Sequence, residues 1–244
     1  MTFEPFQSNP ERDAIMQALI TGWAKSRGGS HVSVTHGSGI SHCIFEYPIG
    51  KRARDRETFC WGGLELVDSV TEFHQSKHHF LSVFGIDVKT HERLLMKGYD
   101  IVARETHMYK SISKNAPSPC CAVNRVLSQE EADWYNAQKG SIFIQPEHIA
   151  DPDVYDFYTR ERGIMTSHAR AIRVGTFLVV DDVQTHPDFR RKGLASYLLA
   201  TITSVAQQNQ MYALTLISSD EGLPLYSRDN YEKGLSLTVY SSSH

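Results

Sequence analysis

Apolar residues fall into runs and periods along this chain that separate strands from helices, most clearly in its second half. From Thr176 to Val183, Phe177, Leu178, Val179, Val180 and Val183 form the near-continuous apolar run of a buried strand. Directly after it, Leu194, Leu198, Ile202, Val205 and Ala206 recur at helical spacing, with Ser196, Thr203, Gln207 and Gln208 largely on other faces. Tyr212 to Ile217 predicts another strand. Upstream, Cys121 to Leu127 predicts a strand, and Ser128 with Glu131 forms the capping box of a helix through about Gln138. Val154 to Arg160 predicts a strand, Glu161-Arg162-Gly163 a turn into Ile164 to Arg173, and Val174-Gly175 a turn into the long apolar strand. The predicted order is strand, helix, three antiparallel strands, helix, strand, helix, strand.

Lys114 to Pro119, with two prolines among small polar residues, reads as a linker and divides the chain into 1–118 and 119–244. In the first part, Phe80 to Ile86 predicts a buried strand, His91 to Lys97 a short helix, Gly98-Tyr99 a turn and Asp100 to Tyr109 a strand. These echo the end of the second part. Placing Gly98-Tyr99 over Asn230-Tyr231 puts Leu94 where Tyr226 stands.

Composition narrows the classes of function. The chain has 244 residues, 41% of them hydrophobic, enough for one large or two small cores. A net charge of −3 gives no general attraction to nucleic acid or to an anionic membrane, so a basic function must be local. No apolar run approaches a membrane span, and Met1 to Pro10 has no apolar core of a secretory signal, which makes a cytoplasmic location the expectation. Cys43, Cys60, Cys120 and Cys121 form neither a Cys-x-x-Cys pair nor a disulfide framework and read as reduced structural thiols. Of the twelve histidines, His74, His78 and His79 are the tightest group and His31, His36 and His42 the next. His74 and His78 share a helical face, but no third ligand or general-base motif accompanies them, so no metal is expected.

Between the apolar strand and its helix lies Val183-Gln184-Thr185-His186-Pro187-Asp188-Phe189-Arg190-Arg191-Lys192-Gly193-Leu194-Ala195. The first amides of a helix have no intrahelical acceptor and sit at the positive end of its dipole, so they bind an anion that can approach closely. Three cations are unfavourable at that end unless an anion is present. Gly193 and Ala195 permit its approach.

The spacing Arg190-x-x-Gly193-x-Ala195 resembles the acyl-CoA pyrophosphate loop of the GNAT superfamily of N-acetyltransferases. Val183 to Pro187 is similar to the family's strand end and lead-in. Leu225-Tyr226-Ser227-Arg228-Asp229-Asn230-Tyr231 is similar to its Leu-Tyr-x-x-x-Gly-Phe segment. The resemblance implies an α+β GNAT acyltransferase fold, a mixed and mostly antiparallel sheet flanked by helices, over 119–244. Residues 1–118 would be a degenerate, partial GNAT-like copy without a cofactor site, because nothing upstream of Phe80 resembles the loop. It also implies acetyl-CoA as acyl donor and an amine acceptor, held between the two parts and acetylated by direct attack in a ternary complex.

Carried over by position, the backbone of Val183, Gln184 and Thr185 polarises the thioester and pairs with pantetheine. The amides of Arg190, Arg191, Lys192, Gly193, Leu194 and Ala195 would hold the pyrophosphate, with Arg190 and Arg191 adding charge. Tyr226 stands where the family often keeps a tyrosine as general acid for the leaving thiolate. Ser219 takes the place of a cofactor-contacting asparagine and is shorter. Relatives use a glutamate base where this chain has Val179. Asp181, two residues on, shares that face and is the expected base or amine-binding carboxylate, whereas Asp182 is expected to point to the other side. His186 is a further candidate by its natural pKa.

A non-catalytic acyl-CoA sensor or regulatory module is the competing reading, with the missing glutamate and Ser219 as signs of lost chemistry. A nucleotide-phosphate protein fits the loop alone but lacks a Walker lysine followed by Ser or Thr. The sequence leaves the acceptor unnamed, small molecule or protein, and fits a monomer or a homodimer.

Overall fold

The computed structural model describes residues 10–50, 52–73, 79–112 and 123–242. The expected linker Lys114 to Pro119, His74, His78, Cys120 and Cys121 lie outside them. In chain order the elements are α1 (Pro10–Gly28), β1 (Val32–Gly37), β2 (Ile40–Ile49), β3 (Arg54–Cys60), α2 (Leu64–Phe73), β4 (Phe80–Phe84), α3 (Val88–Met96) and β5 (Tyr99–Ser111). They continue with β6 (Asn124–Arg125), α4 (Gln129–Lys139), α5 (Pro146–Ala150), β7 (Val154–Glu161), β8 (Ile164–Val174), β9 (Phe177–Thr185), α6 (Leu194–Gln208), β10 (Ala213–Ser219), α7 (Leu223–Arg228) and β11 (Glu232–Ser242). Two compact units interleave along this sequence. Unit 1 takes Met1–Met108, Ile217–Pro224 and Glu232–His244, and unit 2 takes Tyr109–Leu216 and Leu225–Tyr231.

In unit 1 the strand order is β1-β2-β3-β4-β11-β5. β3 runs parallel to β4, from Glu57 opposite Phe80 to Cys60 opposite Val83, and β4 runs antiparallel to β11. The division at 118/119 placed the residues of β11 in the second part, yet their partner strand β4 belongs to unit 1. The first helix carries Glu11 and Asp13 in its first turn and Lys25 and Arg27 in its last, which complements its dipole. Trp61 Nε1 donates to Asp13 Oδ1 at 2.8 Å. Helix α3 starts three residues earlier than the apolar pattern suggested because Asp87 caps it, accepting from Thr90 N at 2.9 Å. Gly85, at φ +63°, stops β4 at Phe84, short of the predicted Ile86.

The join between β3 and α2 is short and closed. Gly39 O accepts from Trp61 N at 2.8 Å and from Gly62 N at 3.0 Å, and a Cβ on Gly62 would stand 2.6 Å from Gly39 Cα. The core of unit 1 joins Cys60, Val67, Val70, Leu81, Val83, Leu94, Tyr99 and Tyr240. Cys43 and Cys60 are free and buried, and burial pushes the Cys60 thiol up to about 12.

In unit 2 the order is β10-β9-β8-β7-β6, with β9 and β10 parallel and the other pairs antiparallel. The capping box is present in relayed form. Ser128 Oγ accepts from Glu131 N at 3.2 Å, and Glu131 Oε2 accepts from Leu127 N at 2.8 Å. Gly140, at φ +68°, closes α4 in the left-handed conformation. Arg162 and Gly163, both at positive φ, make the tight turn between β7 and β8. Helix α4 covers the face of β8 that carries His168 and Arg170. The alternation of β8 turns the fully buried Ala169 and Ala171 the other way, and α6 also packs on this strand.

The order helix, three-stranded meander, helix, strand, helix, strand occurs twice, from α1 to β5 and from α4 to β11, with α5 inserted in the second. Both times the third strand of the meander runs parallel to the next strand. Among the described residues no helix is long and apolar enough to cross a membrane.

Candidate active site

The site starts where two parallel strands part. Pairing between β9 and β10 covers Phe177 to Val179 against Ala213 to Thr215, while β9 runs on to Thr185. Beyond Val179, β9 continues along β8 through a bulge: Arg170 faces Asp181 and His168 faces Gln184, so Asp182 and Val183 share Ala169. Asp182 takes a left-handed backbone, φ +53°.

The bulge changes the expected direction of Asp182. Strict alternation would have turned it away from Asp181, but its carboxylate meets His168, which shares a face with Arg170, the cross-strand partner of Asp181. Asp182 Oδ2 bonds Lys139 Nζ and lies 3.2 Å from His168 Nε2, and Gln184 Nε2 donates to Oδ1 at 2.8 Å. Burial alone would raise this carboxyl, yet the hydrogen bond to His168 and the charge of Lys139 outweigh it and hold it below its ordinary value. The sequence reading missed Lys139 and His168. Their signal was faint: a last-turn lysine on α4, and polar positions at 168 and 170 alternating with alanines in β8.

After β9 the chain makes a 3₁₀ turn, Pro187–Phe189. His186, expected as a possible base, caps it instead, its Nδ1 accepting from Asp188 N at 3.3 Å. Arg190 Nε donates to Thr185 O at 3.4 Å, folding the loop back on the strand end. Arg191 (φ +63°) and Gly193 (φ +78°) then turn the chain into α6. Gly193 is the N-cap, so no side chain occupies the first amides, and the first turn holds no acid. A Cβ on Gly193 would meet only the Tyr197 ring, at 3.8 Å. Arg190, Arg191 and Lys192 are exposed, and Lys192 Nζ sits 4.6 Å from the centre of the Phe189 ring. Leu194 and Ala195 are half-buried at the helix start. These residues fit an anionic diphosphate: uncapped amides, cations and no side chain barring approach.

Tyr226, on α7, is buried, with its ring edge-on to Tyr231 at 5.5 Å. Burial first, then the carboxylates of Asp181 and Asp182, push its phenol well above its ordinary value. Tyr226, Asp181 and Asp182 are therefore electrostatic neighbours. Asp181 is half-buried. Thr185 Oγ1 is hydrogen-bonded to Ser167 Oγ at 2.9 Å, and Gln184 O accepts from Ser167 Oγ at 2.7 Å. Ser219 ends β10 in an exposed position. Beneath the β8 face lies a buried ion pair, Arg170 Nε to Asp156 Oδ1 at 2.7 Å and Arg170 Nη2 to Oδ2 at 3.0 Å.

The other histidine groups have structural partners. His79 Nε2 is 2.6 Å from Tyr99 Oη, and His31, His36 and His42 bond Glu46, Ser41 and Thr58. Among the described residues no group of three or more His, Cys, Asp or Glu could hold a metal ion.

Solved structures with this fold are found among N-acetyltransferases. A GCN5-related N-acetyltransferase from Kribbella flavida matches with a TM-score of 0.67 and 17% identity over 95% of each chain. A GCN5-related N-acetyltransferase from Sphaerobacter thermophilus matches at 0.60 and 12% identity, over 84% of this chain and 81% of that one. A GCN5-related N-acetyltransferase-like protein from Streptococcus suis matches at 0.57 and 12% identity, over 94% and 96%. No family model matches the sequence, and no curated protein does. The chain has the GNAT fold, with mixed sheet and flanking helices.

Proposed function

We propose that this protein is an acyl-CoA-dependent N-acetyltransferase that moves an acetyl group from acetyl-CoA to an amine by direct attack in a ternary complex. The carrying observation is the path of one strand: β9 leaves β10 at Val179, passes a bulge, and leads through three cations to an uncapped helix start. That path supports an extended thioester arm along Val183 to Thr185, with its diphosphate on the amides of Arg190 to Ala195.

The chain's residues divide the work of the reaction. The neutral amine attacks the thioester carbon, the C–S bond breaks, and one proton must leave the nitrogen while the sulfur gains one. A backbone amide at the bulge would hydrogen-bond the carbonyl oxygen as its charge grows. Tyr226, kept protonated by its surroundings, would donate to the leaving sulfur. Asp181, an electrostatic neighbour of Tyr226, would receive the proton or orient the amine. Ser219 would contact the cofactor.

Unit 1 reads as a degenerate partial copy. Its join corresponding to the loop is Trp61-Gly62-Gly63, without a cation, and Gly39 O already occupies the amides of Trp61 and Gly62. The reading includes a cytoplasmic location and needs no metal. Thermal shift with acetyl-CoA, followed by CoA release against a panel of small amines and lysine peptides, tests it. Binding with release supports transfer. Binding without release from any amine would favour the sensor reading, in which Val179 replaces the usual glutamate. Absence of binding would remove both.

A further inference from the structure

The bulge of β9 is built on a left-handed residue held by its side chain. A two-against-one bulge of this kind usually places glycine at the left-handed position. Here the residue is Asp182, one of the few non-glycine types that enter this region. Glycine would bend the strand as well, so the carboxylate has work that the bend alone does not explain.

Its partners show what that work is. Lys139 comes from the last turn of α4, where the helix dipole favours a cation, and its ammonium also lies 3.8 Å from the centre of the Phe143 ring. His168 comes from β8, and Gln184 from β9 itself. The side chains of Lys139, Asp182 and His168 are 12%, 15% and 10% exposed, so these contacts are shielded from water and salt. The carboxylate is fully engaged and holds its charge, which makes it a poor proton acceptor and a good anchor.

We propose that Lys139 and His168 are positioning residues: by clamping the Asp182 carboxylate from α4 and β8, they fix the bulge so that the Val183 amide is aimed at the thioester carbonyl. This rests on the acyl-transfer reading. Val183 is the second residue of the bulge, where the β8 ladder is interrupted, and its amide direction follows from the backbone of Asp182. Misaiming one such donor costs about a hundredfold in kcat.

Calorimetric titration with CoA, together with steady-state transfer to an amine that the wild type acetylates, tests the clamp in Asp182→Ala, Lys139→Met and Asp182→Asn. In the first two, kcat should fall about a hundredfold while the Kd for CoA stays within about twofold, because the pyrophosphate contacts at Arg190 to Ala195 are untouched. Asn tolerates the left-handed backbone and still accepts from Lys139, so Asp182→Asn should recover at least a tenth of wild-type kcat. Equal losses in kcat and CoA affinity, or an unchanged kcat, would overturn the clamp and leave the transferase reading intact. Should Asp182→Ala fail to fold, Lys139→Met, which leaves the bulge residue native, decides the matter. A wild type that binds no CoA, or releases none with any amine, overturns the transferase reading and the clamp with it.

Discussion

Replacing Tyr226 with phenylalanine removes one oxygen from the candidate site and nothing from the backbone. Burial and two neighbouring carboxylates hold the phenol well above its ordinary value of 10.0, so it is fully protonated at any pH the enzyme would meet. A thiol ionises near 8.5, so full proton transfer from such a phenol to the departing thiolate runs uphill. Its contribution then belongs at the low end of the range for general acids, about a hundredfold, or about 2.7 kcal/mol of barrier. At saturating acetyl-CoA and amine, kcat of Tyr226→Phe should fall about a hundredfold, with no new limb in the pH profile below pH 9. The Kd for CoA should hold, and because the edge-on ring contact with Tyr231 survives, the melting temperature should move by no more than a few degrees. A kcat within about threefold of wild type, or a loss of CoA affinity matching the loss in kcat/KM, would refute the acid role.

Other substitutions test the scaffold and the loop. Arg170→Met should destabilise by about 3–5 kcal/mol in urea denaturation, because it strands the buried Asp156, and adding Asp156→Leu should restore most of the loss. Gly193→Ala meets no neighbour nearer than 3.8 Å but must hold φ +78°, so it should cost about 1 kcal/mol of stability and weaken CoA binding about fivefold by calorimetry. Burial lowers the His107 imidazole from 6.5 to about 4, so it is neutral in the fold and charges more readily when unfolded. Its stabilising share is whole above pH 6.5 and is lost as the pH falls toward 4, a difference of up to about 3 kcal/mol, and His107→Leu should flatten that part of the stability curve. Treatment with a strong chelator should leave CoA release unchanged, and its collapse would reinstate a metal.

How much of this was legible in the sequence depends on distance along the chain. The path from β9 through the loop into α6 could be read because a continuous apolar run, a glycine and a helical period succeed one another without a break. The same holds for Ser128 and Glu131 at the start of α4. Strand β3 could not be read. Arg54-Asp55-Arg56-Glu57 looks like a solvated turn, yet Glu57 is buried, with Arg54 Nη1 at 2.6 Å and Ser82 Oγ donating to it. The ion pair with Arg54 is local, but burial also needs the hydroxyl of Ser82 on β4 for the other carboxylate oxygen, and no local window contains that partner. The bulge was hidden for a related reason. One extra residue in β9 leaves the polarity pattern intact while reversing the side of Asp182, and the partners that favour this, Lys139 and His168, lie on other elements.

The place of β11 between β4 and β5 has a consequence for the birth of the protein. During synthesis β4 and β5 emerge from the ribosome well before the strand that separates them in unit 1. Until β11 arrives, β4 offers an open edge of four apolar residues and one serine, all buried in the finished fold, the kind of surface that chaperones bind and that neighbouring nascent chains can capture. Unit 1, though mostly encoded first, is completed only after unit 2 has been made, so the chain should fold late and slowly for its size.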